Sequence, residues 1–477
     1  MRLPRAPQLA MLRGMARSDR HILLANPGTG KSGAALMLAS SREFATGRWP
    51  GMFILAPLQV CLNWKSEIPN WLPNAKVSMI TGAKGEREQA LKASADVYLM
   101  NYDNLPWLDK YGPKDWSAFG NMMVCDEATR LRGTRASWQT STLGKRFLRT
   151  DGGVQTNALA KHAGDFTFWL SMTATPVPNG PLDWWPLVWY VDGGHRLGNS
   201  FSAFEQRWFS LPNRHTDFAK PIPLPGAIEE IAARTRDITT VVRIEDYIDV
   251  AKPNVIDRVV EIPAAAMKQY KEMRERMATE IRDGMLTRTV SVQSAAAKVA
   301  RLSQISSGFS YWKDEDEDPD LQKCTHLHDA KVDAVESILE ETGENQIVFY
   351  HHKATLDLLK KRFKNKLVEL DKNGVVQANW NAGKIKLLAI QYQRGSMGLS
   401  LQHGGRSMIF IEPTYRADDW EQAIERAGPL RQLQSGYNRA VNVYRVMARG
   451  TLDADIYHKV ENKMELQDLV VSLLGNA

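Results

Sequence analysis

The stretch HILLANPGTGKSGAALMLAS (21–40) indicates the fold of the first part of the chain. It opens with a short apolar run, continues through a glycine-rich turn and ends in a helical stretch, so we predict a strand, a turn and a helix. Gly28 and Gly30 let successive backbone N–H groups face one point, toward which the helix directs its positive dipole end. Lys31 can then reach the outer phosphates of a nucleotide, and the Ser32 hydroxyl can occupy one Mg²⁺ position. The predicted nucleotide-binding residues of this loop are Pro27, Gly28, Thr29, Gly30, Lys31 and Ser32.

A second motif, MMVCDEAT (122–129), supplies acids for the same metal. Four apolar residues predict a buried strand, and two acidic residues stand at its carboxyl end. We expect Asp126 to hold Mg²⁺ through water, together with Ser32. We expect Glu127 to orient and deprotonate an attacking water, since phosphoryl transfer depends on positioning and charge neutralisation. The two motifs together predict a site for hydrolysis of a nucleoside triphosphate.

Apolar strands alternate with helical stretches along most of the chain, a pattern typical of α/β folds with parallel sheets. Because this pattern occurs twice, we predict two parallel-sheet lobes in tandem with a helical insertion between them. The predicted domains are 1–240 (first lobe, with the helical insertion from about 180), 241–325 (linker and helical segment) and 326–477 (second lobe). The predicted strands are 21–26, 51–57, 96–102, 122–127, 167–175, 345–352, 385–391, 407–412 and 441–446, and a long helix is predicted at 264–285.

The composition is that of a water-soluble protein of 477 residues, with 43% hydrophobic and 24% charged residues. No apolar run reaches the length needed to span a bilayer, and we expect a cytoplasmic protein. The three cysteines are too scattered for a disulfide framework or a zinc site, so we expect reduced, mostly buried thiols. A net charge of +7 fits a polyanionic partner such as nucleic acid, although many proteins without such a partner are mildly basic.

Seven segments continue the series begun by the glycine-rich loop, in a characteristic order. They are APLQVCLNWKSEIPNW (56–71), VYLMNYDNL (97–105), DEAT (126–129), LSMTATPVPNGPLDWWPLVWY (170–190), NQIVFYHHKATLDLL (345–359), LLAIQYQRGSMGLSLQHGGRSMIFIEP (387–413) and WEQAIERAGPLRQ (420–432). In this order the chain resembles superfamily-two helicases, specifically their Swi/Snf-like translocase branch, in a compact bacterial or phage form. The resemblance covers nearly the whole chain.

The resemblance implies two RecA-like lobes that use ATP and Mg²⁺. It places Gln8 at the adenine base and Gly395 in a nucleotide-binding motif of the second lobe. It also implies an arginine from that lobe that stabilises the transition state. Arg426 fits the first of two usual arginines, but Pro429 occupies the position of the second, and the next arginine is Arg431. Since proline ends or kinks a helix, either Arg431 reaches the phosphate from a turn or the arginine function is impaired. We assign the role to Arg426 and Arg431 together.

The same resemblance implies contacts to the sugar-phosphate backbone of nucleic acid, without sequence specificity. Thr173 and Thr175 would couple the ATP site to this second site. Trp64 also stands in a matching motif, but we interpret it as a core residue because interleaved aromatic residues usually fill gaps. The predicted nucleic-acid contacts are Asn63, Thr81, Asn101, Tyr102, Gln391 and Arg394.

Three functions remain open from the sequence. The first is an ATP-dependent motor that tracks double-stranded DNA in replication, repair or recombination, in a bacterial cell or, for a viral protein, in the host cytoplasm. The second is a strand-separating DNA or RNA helicase or a subunit of a restriction-type motor. The third, motivated by Pro429, is a clamp that binds DNA in its ATP-bound state and hydrolyses ATP poorly. Protein partners are left unassigned.

Overall fold

The chain folds into two compact units, Met1–Asp249 together with Lys463–Ala477, and Val250–Asn462. The structure is a computed structural model that describes residues 3–141, 146–210, 221–282, 297, 299–312, 323–371, 374–392 and 399–475. Because the segment from Lys463 onward belongs to the first unit, the backbone passes between the units twice. The predicted domain ranges contain no such return.

The first unit is built on a seven-stranded parallel sheet. Its strands, with two short hairpins, are β1 (Arg20–Ala25), β2 (Met52–Ala56), β3 (Val77–Ile80), β4 (Val97–Asn101), β5 (Met122–Asp126), β6 (Ala136–Thr140), β7 (Arg146–Thr150), β8 (Phe168–Thr173), β9 (Phe209–Ser210), β10 (Ile222–Pro223) and β11 (Thr239–Val242). Its helices are α1 (Ala6–Met15), α2 (Lys31–Thr46), α3 (Leu58–Trp71), α4 (Lys84–Lys92), α5 (Leu105–Tyr111), α6 (Val154–His162), α7 (Trp184–Asp192), α8 (Phe201–Trp208) and α9 (Ala227–Thr235). The sheet order is β11-β1-β8-β5-β2-β4-β3.

Apolar residues on both faces of the central strands explain this sheet. In β2 every residue is buried, as expected for a parallel sheet covered by helices on both sides. Phe53 and Leu55 belong to one core cluster, which includes Trp116, whereas Met52 and Ile54 belong to the cluster on the opposite face. This alternation follows from the two-residue period of a strand.

The region predicted as a helical insertion contributes to the core of the first unit. Every residue of α7 from Trp184 to Val191 is buried. The Arg20 guanidinium donates hydrogen bonds to four backbone carbonyls, among them those of Tyr190 at 2.7 Å and Val191 at 2.9 Å, which ties the start of β1 to the end of α7. The same region contains β11, which pairs with β1 and was not predicted.

The second unit contains a six-stranded parallel sheet. Its strands, with one hairpin, are β12 (Asn254–Val260), β13 (Phe309–Trp312), β14 (Lys323–His326), β15 (Gln346–Tyr350), β16 (Leu367–Glu369), β17 (Leu387–Gln391), β18 (Ser407–Phe410) and β19 (Asn442–Ala448). Its helices are α10 (Ala264–Arg282), α11 (Ala330–Thr342), α12 (Lys353–Phe363), α13 (Val375–Asn381), α14 (Ala417–Glu425), α15 (Pro429–Gln434) and α16 (Asp453–Gly475), the last of which continues into the first unit. The sheet order is β12-β19-β18-β15-β17-β16.

The nine predicted strands are all present, with ends that differ by a few residues at most, and the two parallel sheets are tandem RecA-like lobes. The stretch predicted as a linker supplies an edge strand, since β12 pairs with β19 over its whole length. The predicted long helix is α10, whose last predicted residues, 283–285, lie outside the described residues.

The cysteines are free thiols, of which Cys61 and Cys125 are buried and Cys324 is exposed. Burial raises the pKa of the Cys61 thiol to about 12, so this side chain is a neutral core residue near neutral pH. Within the described ranges, no helix combines the length and the apolar character needed to cross a bilayer.

A buried ion pair in the second unit leads to a stability prediction. The ammonium of Lys331 lies 2.6 Å from a carboxylate oxygen of Asp453, and the two side chains are 1% and 0% exposed. Removing the cation by Lys331→Met leaves a buried carboxylate without its counter-charge, and we expect the free energy of unfolding to fall by about 3–5 kcal/mol. Amide hydrogen exchange in β18 and β19, followed by mass spectrometry, reports on this unit.

The matched control is Lys360→Met, which removes the ammonium of an exposed pair with Glu369 and should cost no more than about 1 kcal/mol. Equal losses in the two variants would contradict the importance of burial for this pair.

Candidate functional site

The two nucleotide motifs meet at one edge of the first sheet. The glycine-rich loop follows β1, and Asp126 ends β5, with β8 between these two strands. All three strands run parallel, so their carboxyl ends lie side by side. In open α/β sheets ligands bind outside the carboxyl ends of the strands, and this edge is therefore the candidate site.

The loop has the backbone geometry that its glycines predict. Gly28 has φ 76° and Gly30 has φ 91°, left-handed values that glycine adopts without steric cost. The helix α2 begins at Lys31, so its first N–H groups face the loop. Thr29 is fully buried and its hydroxyl donates to the Asn26 carbonyl at 2.7 Å, which closes the turn. This is a cradle of backbone amides suited to phosphate oxygens.

Lys31 places its ammonium inside the loop. Nζ donates to the carbonyl of Ala25 at 2.8 Å, at the end of β1. Burial raises the pKa of the Asp126 carboxyl, and the positive charge of Lys31 opposes this shift. Ser32, the residue after Lys31, is half-buried at the second position of α2. The predicted lysine and the first predicted acid thus lie at the same edge of the sheet.

Gln8 lies against the loop. Its amide nitrogen donates to the Gly30 carbonyl at 3.1 Å, and its amide oxygen accepts from the backbone N–H of Arg5 at 3.0 Å. The Arg5 guanidinium also donates to the Gly28 carbonyl at 3.4 Å. Helix α1 therefore supports the loop directly, and the contact of Gln8 with adenine stays a prediction. Pro27, which precedes the glycines, is half-buried.

Asp126 is held by two hydrogen bonds. One carboxylate oxygen accepts from the indole N–H of Trp64 at 2.9 Å, and the other from the backbone N–H of Glu127 at 3.0 Å. Burial raises the pKa of the Asp126 carboxyl, whereas the Lys31 ammonium and the Trp64 indole lower it. Each oxygen keeps a second lone pair, through which it can accept a further hydrogen bond or face a hydrated cation.

Glu127 has φ 52° and ψ 51°, a left-handed conformation that is uncommon for a residue with a side chain. Such a conformation costs about 1–3 kcal/mol and persists where the surrounding structure enforces it. It turns the chain sharply after β5, immediately after Asp126. The role of Glu127 in orienting an attacking water stays a prediction.

The residues present fit a magnesium ion. Mg²⁺ keeps several waters and binds through one or two carboxylates together with substrate phosphates. Asp126 offers such a carboxylate, and Ser32 offers a hydroxyl at the start of α2. Among the described residues, no group of three or more His, Cys, Asp or Glu side chains could hold a metal ion. The described histidines therefore belong to no such group.

Thr173 and Thr175 are both buried where β8 ends. The backbone N–H of Thr175 donates to the Thr173 hydroxyl at 3.1 Å. Since β8 lies between β1 and β5, these threonines are next to both nucleotide motifs. Their coupling role remains a prediction.

The predicted nucleic-acid contacts differ in accessibility. Asn63 is exposed on α3 and Thr81 is half-buried after β3. Gln391 is half-buried at the end of β17 and donates to the His351 carbonyl at 3.1 Å. Arg394, like the predicted nucleotide residue Gly395, lies outside the described residues.

Two of the residues predicted to contact nucleic acid are buried. Tyr102 is only 3% exposed and its hydroxyl donates to the Asp126 carbonyl at 2.8 Å. Asn101 is 7% exposed and its amide oxygen accepts from Asn104 at 2.7 Å. Asn101 is the last residue of the buried strand β4 and Tyr102 follows it, and the contact of both with nucleic acid stays a prediction.

The motif that contains Pro429 forms two short helices instead of one. Helix α14 ends at Glu425, and Pro429 is the first residue of α15, where proline is tolerated because its missing N–H has no partner in a helix. Arg426 is 7% exposed and its carbonyl accepts from the Leu401 N–H. Arg431 donates to the Ser400 hydroxyl at 3.0 Å. Both arginines thus contact the beginning of the described segment 399–475, at Leu401 and Ser400.

Three supporting contacts were missed from the sequence. The hydrogen bond from Trp64 to Asp126 and the bond from Tyr102 to the same residue have no signature in residue spacing. The Asn26 side chain accepts from the Ile244 N–H at 3.1 Å, which links the loop to the chain after β11. The sequence signal that could have indicated the first two contacts is an aromatic residue with a polar atom in an apolar segment. A buried Tyr or Trp usually finds a hydrogen-bond partner for that atom.

The fold and this site define a P-loop nucleotide-binding protein with two RecA-like lobes, of the helicase type. A family model described as SNF2-related domain matches residues 8–150. Putative protein p41 of Acyrthosiphon pisum secondary endosymbiont phage 1 is 34% identical over 482 residues, which cover 99% of this chain and 98% of the phage protein. The chain belongs to the SNF2-related family of helicase- and translocase-like proteins.

More distant relatives are longer or less similar. An uncharacterized ATP-dependent helicase of Mycoplasma genitalium, MG018, is 22% identical over 463 residues, or 93% of this chain and 40% of that protein. This chain therefore spans about two fifths of the mycoplasma relative. A solved structure of the Sulfolobus solfataricus SWI2/SNF2 ATPase core in complex with dsDNA covers 99% of this chain, with 17% identity and a TM-score of 0.41.

Proposed function

We propose that this chain is a DNA-dependent ATPase that uses hydrolysis to move along double-stranded DNA. The observation that carries the proposal is the site at the edge of the first sheet, where the amide-lined loop after β1 and the buried Asp126 at the end of β5 stand at the carboxyl ends of parallel strands. Membership of the SNF2-related family supports the use of ATP. The net charge of +7 suits a polyanionic track.

In the proposed mechanism the loop amides and Lys31 bind the outer phosphates. Ser32 and Asp126 would hold Mg²⁺, which would neutralise phosphate charge during the reaction. Glu127 orients the attacking water and accepts its proton. Arg426 and Arg431 supply positive charge to the transition state. Each of these residues therefore has a separable effect on binding or on hydrolysis.

The proposal predicts that duplex DNA stimulates ATP hydrolysis many-fold more than single-stranded DNA or RNA of equal length. Steady-state ATPase rates of the full chain with each polymer in turn measure this. A rate that no polymer changes would contradict the proposal.

Translocation needs its own measurement. Displacement of the third strand from a DNA triplex, with no separation of the underlying duplex, is the result expected for a translocase. Separation of the duplex strands would favour a strand-separating helicase instead.

A second candidate is a clamp that binds DNA when ATP is bound and hydrolyses ATP poorly. The observation that favours it is the break between α14 and α15, which leaves Arg426 just after α14 and Arg431 within α15. A role in replication, repair or recombination is compatible with either candidate, since both act on DNA without reading its sequence.

A further inference from the structure

Helix α3 has two faces with different surroundings. Its buried residues Cys61, Trp64, Ile68 and Trp71 recur at helical spacing and pack on the first unit. The residues on either side of Trp64 in the sequence, Asn63 and Lys65, are exposed. A ligand that binds the outer face of α3 would therefore contact residues that flank the buried Trp64.

Trp64 makes a direct polar contact with the site. It is 1% exposed, and its indole N–H, which can only donate, is 2.9 Å from a carboxylate oxygen of Asp126 that is itself 5% exposed. A hydrogen bond to a charged group, away from water, is among the stronger ones in a protein. The position of α3 thus influences where the Asp126 carboxylate points.

A second aromatic residue holds the same acid through its backbone. The Tyr102 hydroxyl donates to the Asp126 carbonyl at 2.8 Å. Tyr102 follows β4 and Trp64 lies in the helix after β2, and the sheet order β5-β2-β4 makes these strands neighbours. The segments after β2 and β4 are among those that the family resemblance assigns to nucleic acid. Each directs an aromatic side chain inward to Asp126.

We propose that Trp64 is a positioning residue that couples DNA binding on the outer face of α3 to the orientation of Asp126. This inference rests on the proposed function, because it presupposes that DNA binds there and that Asp126 serves ATP hydrolysis. The physical basis is the steep dependence of a hydrogen bond on distance and angle. A shift of α3 by a fraction of an ångström therefore changes the bond to Asp126.

The test is Trp64→Phe in the full chain, which removes the indole N–H and keeps an aromatic ring in the core. The primary readout is the Kd of a fluorescent, non-hydrolysable ATP analogue with Mg²⁺, measured with and without duplex DNA. Coupling between two sites typically changes such an affinity by about 5- to 150-fold. We expect a ratio in this range for the wild-type protein and a ratio near one for Trp64→Phe. Duplex-DNA affinity in the absence of nucleotide should be unchanged.

The matched control is Trp71→Phe in the same helix. The Trp71 indole is also buried and also hydrogen-bonded, but to Glu67 of α3 itself at 2.8 Å. We expect this variant to keep the wild-type affinity ratio. Because the two variants make the same chemical change in one helix, a general loosening of α3 would affect both.

If Trp64→Phe does not fold, as judged by its melting curve, Tyr102→Phe is the second variant. It removes the hydroxyl bonded to the Asp126 backbone and keeps the ring, and we expect a reduced affinity ratio. Retention of the full ratio in the folded variant tested would overturn the inference, as would an equal loss in Trp71→Phe. The inference is also overturned if DNA stimulates hydrolysis by the wild-type protein but leaves its nucleotide affinity unchanged. Hydrolysis that DNA does not stimulate contradicts the proposed function instead.

Discussion

Replacement of Glu127 by glutamine is expected to lower the DNA-stimulated rate of ATP hydrolysis by about 10²- to 10⁴-fold, the usual contribution of a positioned general base. The amide keeps the size of the side chain and can still hydrogen-bond water, but it cannot accept the proton. The left-handed backbone at Glu127 should persist, since the surrounding strand and turn enforce it. Nucleotide affinity is therefore expected to change little.

Steady-state hydrolysis and equilibrium binding of ATP, measured on the same preparation, separate these effects. Glu43→Gln is the matched control, because Glu43 is exposed near the end of α2 and the same chemical change there should leave hydrolysis unaltered. An unchanged rate in Glu127→Gln would exclude Glu127 as the base and would strengthen the clamp hypothesis.

Replacement of Arg426 or Arg431 by alanine should also impair hydrolysis severely. Arginines that stabilise the transition state of phosphoryl transfer contribute about 10³-fold or more to kcat. We expect each single substitution to lower kcat by about 10²- to 10³-fold, because the two share the role. Burial lowers the pKa of the Arg431 guanidinium, and the Glu425 carboxylate opposes this shift. An arginine nonetheless stays protonated at all ordinary pH values.

The measurement is kcat and nucleotide Kd for both variants, with Arg416→Ala as the control. Arg416 precedes α14, is largely exposed and pairs with Asp419, so its loss should leave kcat near the wild-type value. If Arg426→Ala is inactive and Arg431→Ala is not, the hydrogen bond from Arg431 to Ser400 is structural and Arg426 acts alone. If neither variant changes kcat, the arginine assignment is wrong.

The nucleotide motifs were predictable because their chemistry depends on local sequence. A glycine-rich turn between a strand and a helix has few alternative structures, and acids that follow a buried strand must emerge at the carboxyl edge of a parallel sheet. The placement of Lys31 and Asp126 at the same edge of the sheet follows from those two facts. The position of β8 between their strands needed the long-range sheet order, which short apolar runs do not specify.

The features that the sequence did not reveal depend on tertiary structure. Tyr102 and Asn101 occupy motif positions that suggested a surface, but Asn101 ends the buried strand β4, Tyr102 follows it, and both side chains are buried. Trp64 was correctly expected in the core, yet its donor atom is part of the site. The strand β12 was not predicted because it is an edge strand with alternating exposed residues inside a charged region. In addition, its partner β19 lies far along the chain.

The return of the final helix to the first unit constrains the order of events on the ribosome. Val470 and Leu474 of α16 belong to the same buried cluster as Trp184 and Ile231. At a synthesis rate of about 5–20 residues per second, these partners emerge more than ten seconds after residue 249. During that interval the nascent amino-terminal lobe exposes an apolar groove, so newly made chains should recruit chaperones there before translation is complete.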